Sequence, residues 1–198
     1  VIVVKPRGVD IKLETLEKCW NVNSDGAGVA WREGGLVRVQ KGVMSFEEFE
    51  RVFEEVYSKD KEMIFHFRLT SRGKTCPEMT HPFCLVSENK VDPLEFVTNV
   101  PVLFHNGTII NLGDNEKSDT FYLSRLLGKM YFDSKVSLET LVKVLNMVGG
   151  KFVLFSPKKT IIVGEFHEKN GCLFSNLSWK IDTFITCDWW LKKRRRKT

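Results

Sequence analysis

Residues 97–156 read VTNVPVLFHNGTIINLGDNEKSDTFYLSRLLGKMYFDSKVSLETLVKVLNMVGGKFVLFS, and this stretch decides the fold class. Val97 to Phe104 is apolar, is interrupted by Pro101, and leads into a strand that ends at His105-Asn106-Gly107. Ser118 can cap a helix running to about Met130 or Phe132. Ser137 can cap a second helix, with Leu138, Leu141, Val142, Leu145 and Val148 along one side and Gly149-Gly150 as its stop. Lys151 to Ser156 then begins a hairpin that turns at Pro157-Lys158-Lys159 and returns over Thr160 to Phe166. Strands, adjacent helices and strands again describe an α+β layered domain.

The flanking sequence extends this pattern. Val1-Ile2-Val3-Val4 is a β-branched run closed by Pro6 and Gly8, which reads as a buried strand. Leu13 to Trp20 is a short helix candidate, and Asn23 to Gly28 is a turn-rich loop. Val29 to Trp31 and Leu36 to Val39 form a hairpin around Glu33-Gly34-Gly35. Ser45 and Glu48 make an S-x-x-E capping box, and Phe46, Phe49, Val52, Phe53 and Val56 then recur at helical spacing up to Tyr57. Met63 to Leu69 is an apolar strand with His66 and Arg68 set into it, and Gly73 to Glu78 is loop. Cys172 to Phe174 and Asp182 to Cys187 complete the strand candidates. The expected arrangement is two sheets with helices outside.

The chain has 198 residues, 42% hydrophobic and 28% charged, which excludes a disordered or collagen-like protein. One domain over residues 1–190 with a basic tail over 191–198 is expected. Lys192 to Lys197 carry six positive charges, one more than the whole net charge of +5, so the rest of the chain is near −1. A neutral body argues against a broad nucleic-acid face and leaves only a weak contact through the tail. The bland reading of that tail is a solvated run of like charge, with Trp189 and Trp190 anchoring it to the core. Five irregularly spaced cysteines do not make a disulfide scaffold, and no apolar run spans a membrane, so a cytoplasmic location is expected. There is no phosphate-binding glycine loop. Cys76, His81 and Cys84 lack a fourth ligand at familiar spacing, so neither metal nor other cofactor is expected. Cys19, beside Trp20 in a helix, reads as a core thiol.

Four short motifs place polar residues where sites are built, at strand ends and helix starts: His66-Phe67-Arg68, Thr80-His81-Pro82-Phe83, His105-Asn106-Gly107 and Ser118-Asp119-Thr120. Each has a structural alternative. His66 and Arg68 alternate with Phe65, Phe67 and Leu69 and could line the wet face of a strand. Asn106-Gly107 is a common turn pair, and Ser118-Asp119 could simply cap a helix.

In order, the motifs Asp25-Gly26-Ala27-Gly28, His66-Phe67-Arg68, His81-Pro82, His105-Asn106-Gly107, Ser118-Asp119, Gly150 to Leu154 and Ser175 to Trp179 resemble the class II, N-terminal-nucleophile glutamine amidotransferases. The resemblance covers roughly Val1 to Trp179. It implies a four-layer αββα sandwich with two antiparallel sheets. It implies glutamine-amide hydrolysis through a thioester, with Arg68 holding the substrate α-carboxylate and Asp119 its α-ammonium. Asn106 and the Gly107 N–H would form an oxyanion hole, with Ser71 near the substrate and His66, His81 and His105 in support. The family's Thr-His-Gly is Ser71-Arg72-Gly73 here, which adds a charge. Val1 to Val4 match the strand that follows the family's N-terminal Cys, so Met-Cys is expected before Val1. The alternatives are an inactive binding module of the same fold, or an interaction protein that uses its basic tail. The expected ligand is a small amide, and a separate synthetase subunit or an acidic protein is the candidate partner.

Overall fold

The computed structural model describes residues 1–180, and its fold is mixed α+β with two antiparallel sheets and four helices. The strand expected over Asp182 to Cys187, the anchoring expected of Trp189 and Trp190, and the tail lie outside the described residues. In chain order the strands are β1 (Ile2–Lys5), β2 (Ala27–Glu33), β3 (Leu36–Val43), β4 (Met63–Phe67), β5 (Phe83–Cys84), β6 (Glu95–Thr98), β7 (Val102–Asn106), β8 (Lys151–Phe155), β9 (Thr160–Val163), β10 (His167–Lys169) and β11 (Cys172–Phe174). The helices are α1 (Leu13–Val22), α2 (Phe46–Val56), α3 (Asp119–Phe132) and α4 (Leu138–Val148). One sheet has seven strands in the order β10-β11-β1-β4-β2-β3-β6, and the other has four in the order β5-β7-β8-β9.

Three apolar cores separate the layers. Phe49, Val52, Phe53 and Val56 of α2 and Leu16 and Cys19 of α1 pack on Val1, Val3, Val29, Phe65 and Phe67 of the larger sheet. The opposite faces of the same strands supply Ile2, Val4, Ala30 and Ile64, which meet Val102, Phe104, Val153 and Phe155 of the smaller sheet. The outer face of that sheet gives Leu103, Phe152 and Leu154 to Leu123, Leu127, Leu141 and Leu145 of α3 and α4. Period-two alternation thus builds two cores from single strands.

Local chemistry sets the ends. Ser45, Ser118 and Ser137 each cap a helix, accepting from the backbone N–H of Glu48, Phe121 and Thr140 respectively. Glu48 Oε2 reaches back to the Met44 N–H rather than that of Ser45. Lys5 is fully buried, and its ammonium donates to the carbonyls of Ser58, Lys59 and Lys61, which closes the turn between α2 and β4. The run from Val97 to Phe104 is not one strand: β6 ends at Thr98 in the larger sheet and β7 begins at Val102 in the smaller one. Pro101 lies in the crossing, where no ladder N–H is required. The second hairpin strand stops at Val163, before the turn at Gly164, and the chain returns to the larger sheet as β10.

At the end opposite Asn106, Arg32 of β2 joins the two sheets. Its guanidinium pairs with Glu62, donates to the Ser156 carbonyl at 2.7 Å and to Thr160 Oγ1 at 2.8 Å, and lies over the Phe155 ring.

Candidate functional site

The strand ends converge on one cavity of about 430 Å³, lined by Val1, Arg68, Ser71, Asn106, Gly107 and Asp119 among others, with His66, His81 and His105 also on its wall. The eight residues to which the resemblance gives a role, Arg68, Ser71, Asn106, Gly107, Asp119, His66, His81 and His105, therefore reach one place, whereas Cys76 and Cys84 do not line it. β1 and β4 bring the Val1 end beside Arg68, β7 ends in Asn106, and the first residue of α3 is Asp119.

Arg68 follows the last residue of β4 and is buried, not on a wet strand face, with carbonyls of the following loop around its guanidinium. Its Nη1 donates to the Lys74 carbonyl at 2.8 Å and its Nη2 to the Arg72 carbonyl at 3.0 Å. These bonds wrap the 70–75 loop around the guanidinium. Each terminal nitrogen keeps a second hydrogen for a ligand. Burial pulls this arginine below its ordinary value, against the opposing effects of Cys76, Asp25 and Asp119.

Asp119 is also buried, and both its oxygens are engaged. Oδ2 accepts from the Ile109 N–H at 2.7 Å, and Oδ1 accepts from the Thr120 N–H at 2.7 Å. These bonds fix the carboxylate while leaving lone pairs for a cation. Ser71 Oγ accepts from Thr108 Oγ1 at 2.9 Å, which ties the 70–75 loop to the segment after Gly107.

Asn106 is oriented from outside the sequence motif. Its Oδ1 accepts from Ser175 Oγ at 3.0 Å and from Asn176 Nδ2 at 3.1 Å, so Nδ2 is left to donate. Ser175 Oγ in turn accepts from the Ile2 N–H at 2.8 Å. Ser175 and Asn176 belonged to the quoted pattern, but nothing in the sequence assigned them this task. Their partner is 69 and 70 residues away.

The three histidines are buried with few partners. His66 Nε2 donates to the His105 carbonyl at 3.0 Å, and the His66 and His81 rings are 4.0 Å apart. Neither ring nitrogen of His81 has a hydrogen-bond partner among the described residues. Burial, reinforced by neighbouring positive groups, holds His66 and His81 well below the usual imidazole range. Burial also pushes His105 down to about 4, with Asp119 opposing. All three are therefore neutral near pH 7. Lys41, buried in β3, donates to the Pro82 carbonyl at 3.1 Å and lies over the Phe83 ring, and burial lowers it to about 7. It supports the segment that carries His81 and was not among the residues expected from sequence.

No model of a known family matches the chain, and no curated protein matches it. The cavity offers a held cation at Arg68, a held anion at Asp119, an amide donor at Asn106 and neutral imidazoles behind them. Cys19 and Cys84 are buried, and burial pushes their thiols up to about 12 and about 11, which leaves them poor nucleophiles. Among the described residues no group of His, Cys, Asp and Glu could hold a metal ion.

Proposed function

We propose that this chain is an amidohydrolase of the class II glutamine amidotransferase type, with an N-terminal-nucleophile hydrolase fold. It would cleave the side-chain amide of glutamine or a related amino-acid amide. The observation that carries this reading is the register at the start of β1. Ile2 pairs with His66 and Val3 with Phe65, and the Val1 and Phe67 backbones exchange hydrogen bonds. A residue joined to the Val1 nitrogen would stand opposite Arg68. By alternation it shares the face of Ile2 and His66, which looks toward Asn106. A Cys there would have its sulfur beside the carboxylate site, the ammonium site and the oxyanion donors.

In this reading Arg68 and Asp119 bind the α-carboxylate and α-ammonium of a free amino acid, and their opposite charges set its direction. The thiolate attacks the amide carbon while Asn106 Nδ2 and the Gly107 N–H hold the oxygen. The tetrahedral intermediate collapses to a thioester and ammonia, with the leaving nitrogen protonated by the Cys α-ammonium. Water then cleaves the thioester and restores the thiol. Any synthetase that consumes the ammonia would be a separate subunit. A reducing, cytoplasmic compartment suits the free thiols of Cys19, Cys76, Cys84 and Cys172. Among the described residues no helix is long and apolar enough to cross a membrane.

The test is to express the chain with Met-Cys before Val1 and assay release of ammonia from glutamine. Turnover that vanishes with Ser in place of the added Cys, and binding that weakens at least tenfold in Arg68→Lys, are the expected results. A Cys-bearing, folded protein that neither binds nor cleaves glutamine or its analogues would remove the reading.

A further inference from the structure

We propose that Thr120 is a positioning residue: it fixes the ring of His105 and, through it, the donors at Asn106 and Gly107. The proposal rests on the active-site reading above for its kinetic consequence, though not for its geometry. Thr120 is 1% exposed and sits one residue after Asp119. Its hydroxyl lies 3.2 Å from Asp119 Oδ1 and 2.9 Å from His105 Nδ1. A carboxylate oxygen only accepts, so the single hydroxyl proton lies toward Asp119, and Thr120 Oγ1 accepts from His105 Nδ1–H. This selects the Nδ1–H tautomer and leaves Nε2 bare.

The surroundings of the ring agree. His105 Nε2 is buried without a hydrogen-bond partner. It faces two glycines so closely that a Cβ on Gly107 would stand 2.8 Å from it and a Cβ on Gly150 3.0 Å from it. Phe152 stacks on the ring at 4.4 Å with an interplanar angle of 12°. The His105 carbonyl, in the same peptide unit as the Asn106 nitrogen, is held separately by His66 Nε2–H at 3.0 Å. His105 is thus fixed at its ring by Thr120 and at its backbone by His66. A tilt of the ring would press on Gly107, at φ +152, where a side chain is disfavoured as well as crowded. Asp119 therefore serves both the ligand ammonium and, through Thr120, the neighbouring oxyanion donors.

The test has two arms. In the first, ring nitrogens of the histidine-labelled 198-residue chain are observed by NMR at pH 7. His105 is expected as a single Nδ1–H tautomer. Thr120→Val, which removes the hydroxyl at nearly constant volume, is expected to mix the tautomers and shift the Gly107 amide resonance, and Thr120→Ser to restore both. An Nε2–H tautomer in the wild-type protein overturns the proposal whatever the variants do, as do unchanged His105 signals in folded Thr120→Val. In the second arm, the Cys-bearing chain is assayed on glutamine. Thr120→Val should lower kcat about 10- to 100-fold with KM within about threefold, and Thr120→Ser should recover most of the loss. Unaltered kcat in Thr120→Val beside a changed tautomer overturns the coupling to the oxyanion donors. A wild-type protein that cleaves no amide would remove the amidohydrolase reading, while the NMR arm still decides the role of Thr120.

Discussion

Asn106 carries two loads. Its Oδ1 gathers the ends of β1 and β11 through Ser175, and its Nδ2 is the donor proposed for the oxyanion. Asn106→Ala should lower kcat of the Cys-bearing chain about 10²- to 10³-fold with little change in KM. Turnover equal to wild type in a folded variant would return Asn106-Gly107 to an ordinary turn. The histidines give a stability test that needs no substrate. Unfolded histidine titrates near 6.5, whereas burial holds His66 and His81 well below that and His105 near 4. Between those values the unfolded chain binds protons that the native chain refuses, so stability falls as the pH drops from about 7 toward about 4. Each histidine can contribute a slope of about 1.4 kcal/mol per pH unit in this window. Urea midpoints at pH 7, 6 and 5 should decline, and less steeply in His81→Phe. An identical slope in that variant would show that His81 titrates normally. At this scale Arg68, Asn106 and Asp119 stand out in the sequence because charged or amide groups interrupt apolar strands or open a helix, and the structure brings them to one cavity, while the roles proposed for them come from the family resemblance. The sequence could not expose the roles of Ser175 and Asn176, which depend on a contact across the whole chain.

Among the elements, α3 is held where it is by a missing side chain. A Cβ on Gly128 would lie 2.3 Å from the Val86 carbonyl oxygen and 2.6 Å from its nitrogen, both backbone atoms that cannot swing aside. Gly to Ala inside a helix ordinarily gains about 1 kcal/mol. Here the collision outweighs it, and Gly128→Ala should destabilise by about 2 kcal/mol or more, read as a lowered urea midpoint. A neutral or stabilised variant would show that α3 slides freely over Val86. The helices were the most legible elements, because Ser45, Ser118 and Ser137 announce their starts and apolar spacing gives their buried faces. The strands were harder. β5 has only two residues, too few for any alternation to register. The apolar run through Pro101 hid a change of sheet, because Val97 on the exposed edge strand β6 and Val102 in the buried strand β7 are the same residue type on either side of the crossing.

For the molecule as a whole, the site and the Arg32 junction lie at opposite ends of the paired sheets. Arg32→Ala removes donors to Ser156, Thr160 and Glu62 together and should cost about 2 kcal/mol of stability. Turnover at a temperature well below the midpoint should be unaffected. A drop in kcat with unchanged stability would mean that the far junction sets the site. The layered class was legible from element order alone, whereas the neighbours of β1 were not, because one of them comes from the distant end of the domain. That pairing has a consequence for synthesis. Ile2 and Ser175 are bonded across 173 residues, and β1 lies between β4 and β11. A strand made early must wait for almost the whole domain to leave the ribosome before its second edge is covered. Until then the growing polypeptide carries an open β1 edge beside the place where the cavity will form, and a chaperone that shields strand edges would have its longest task there.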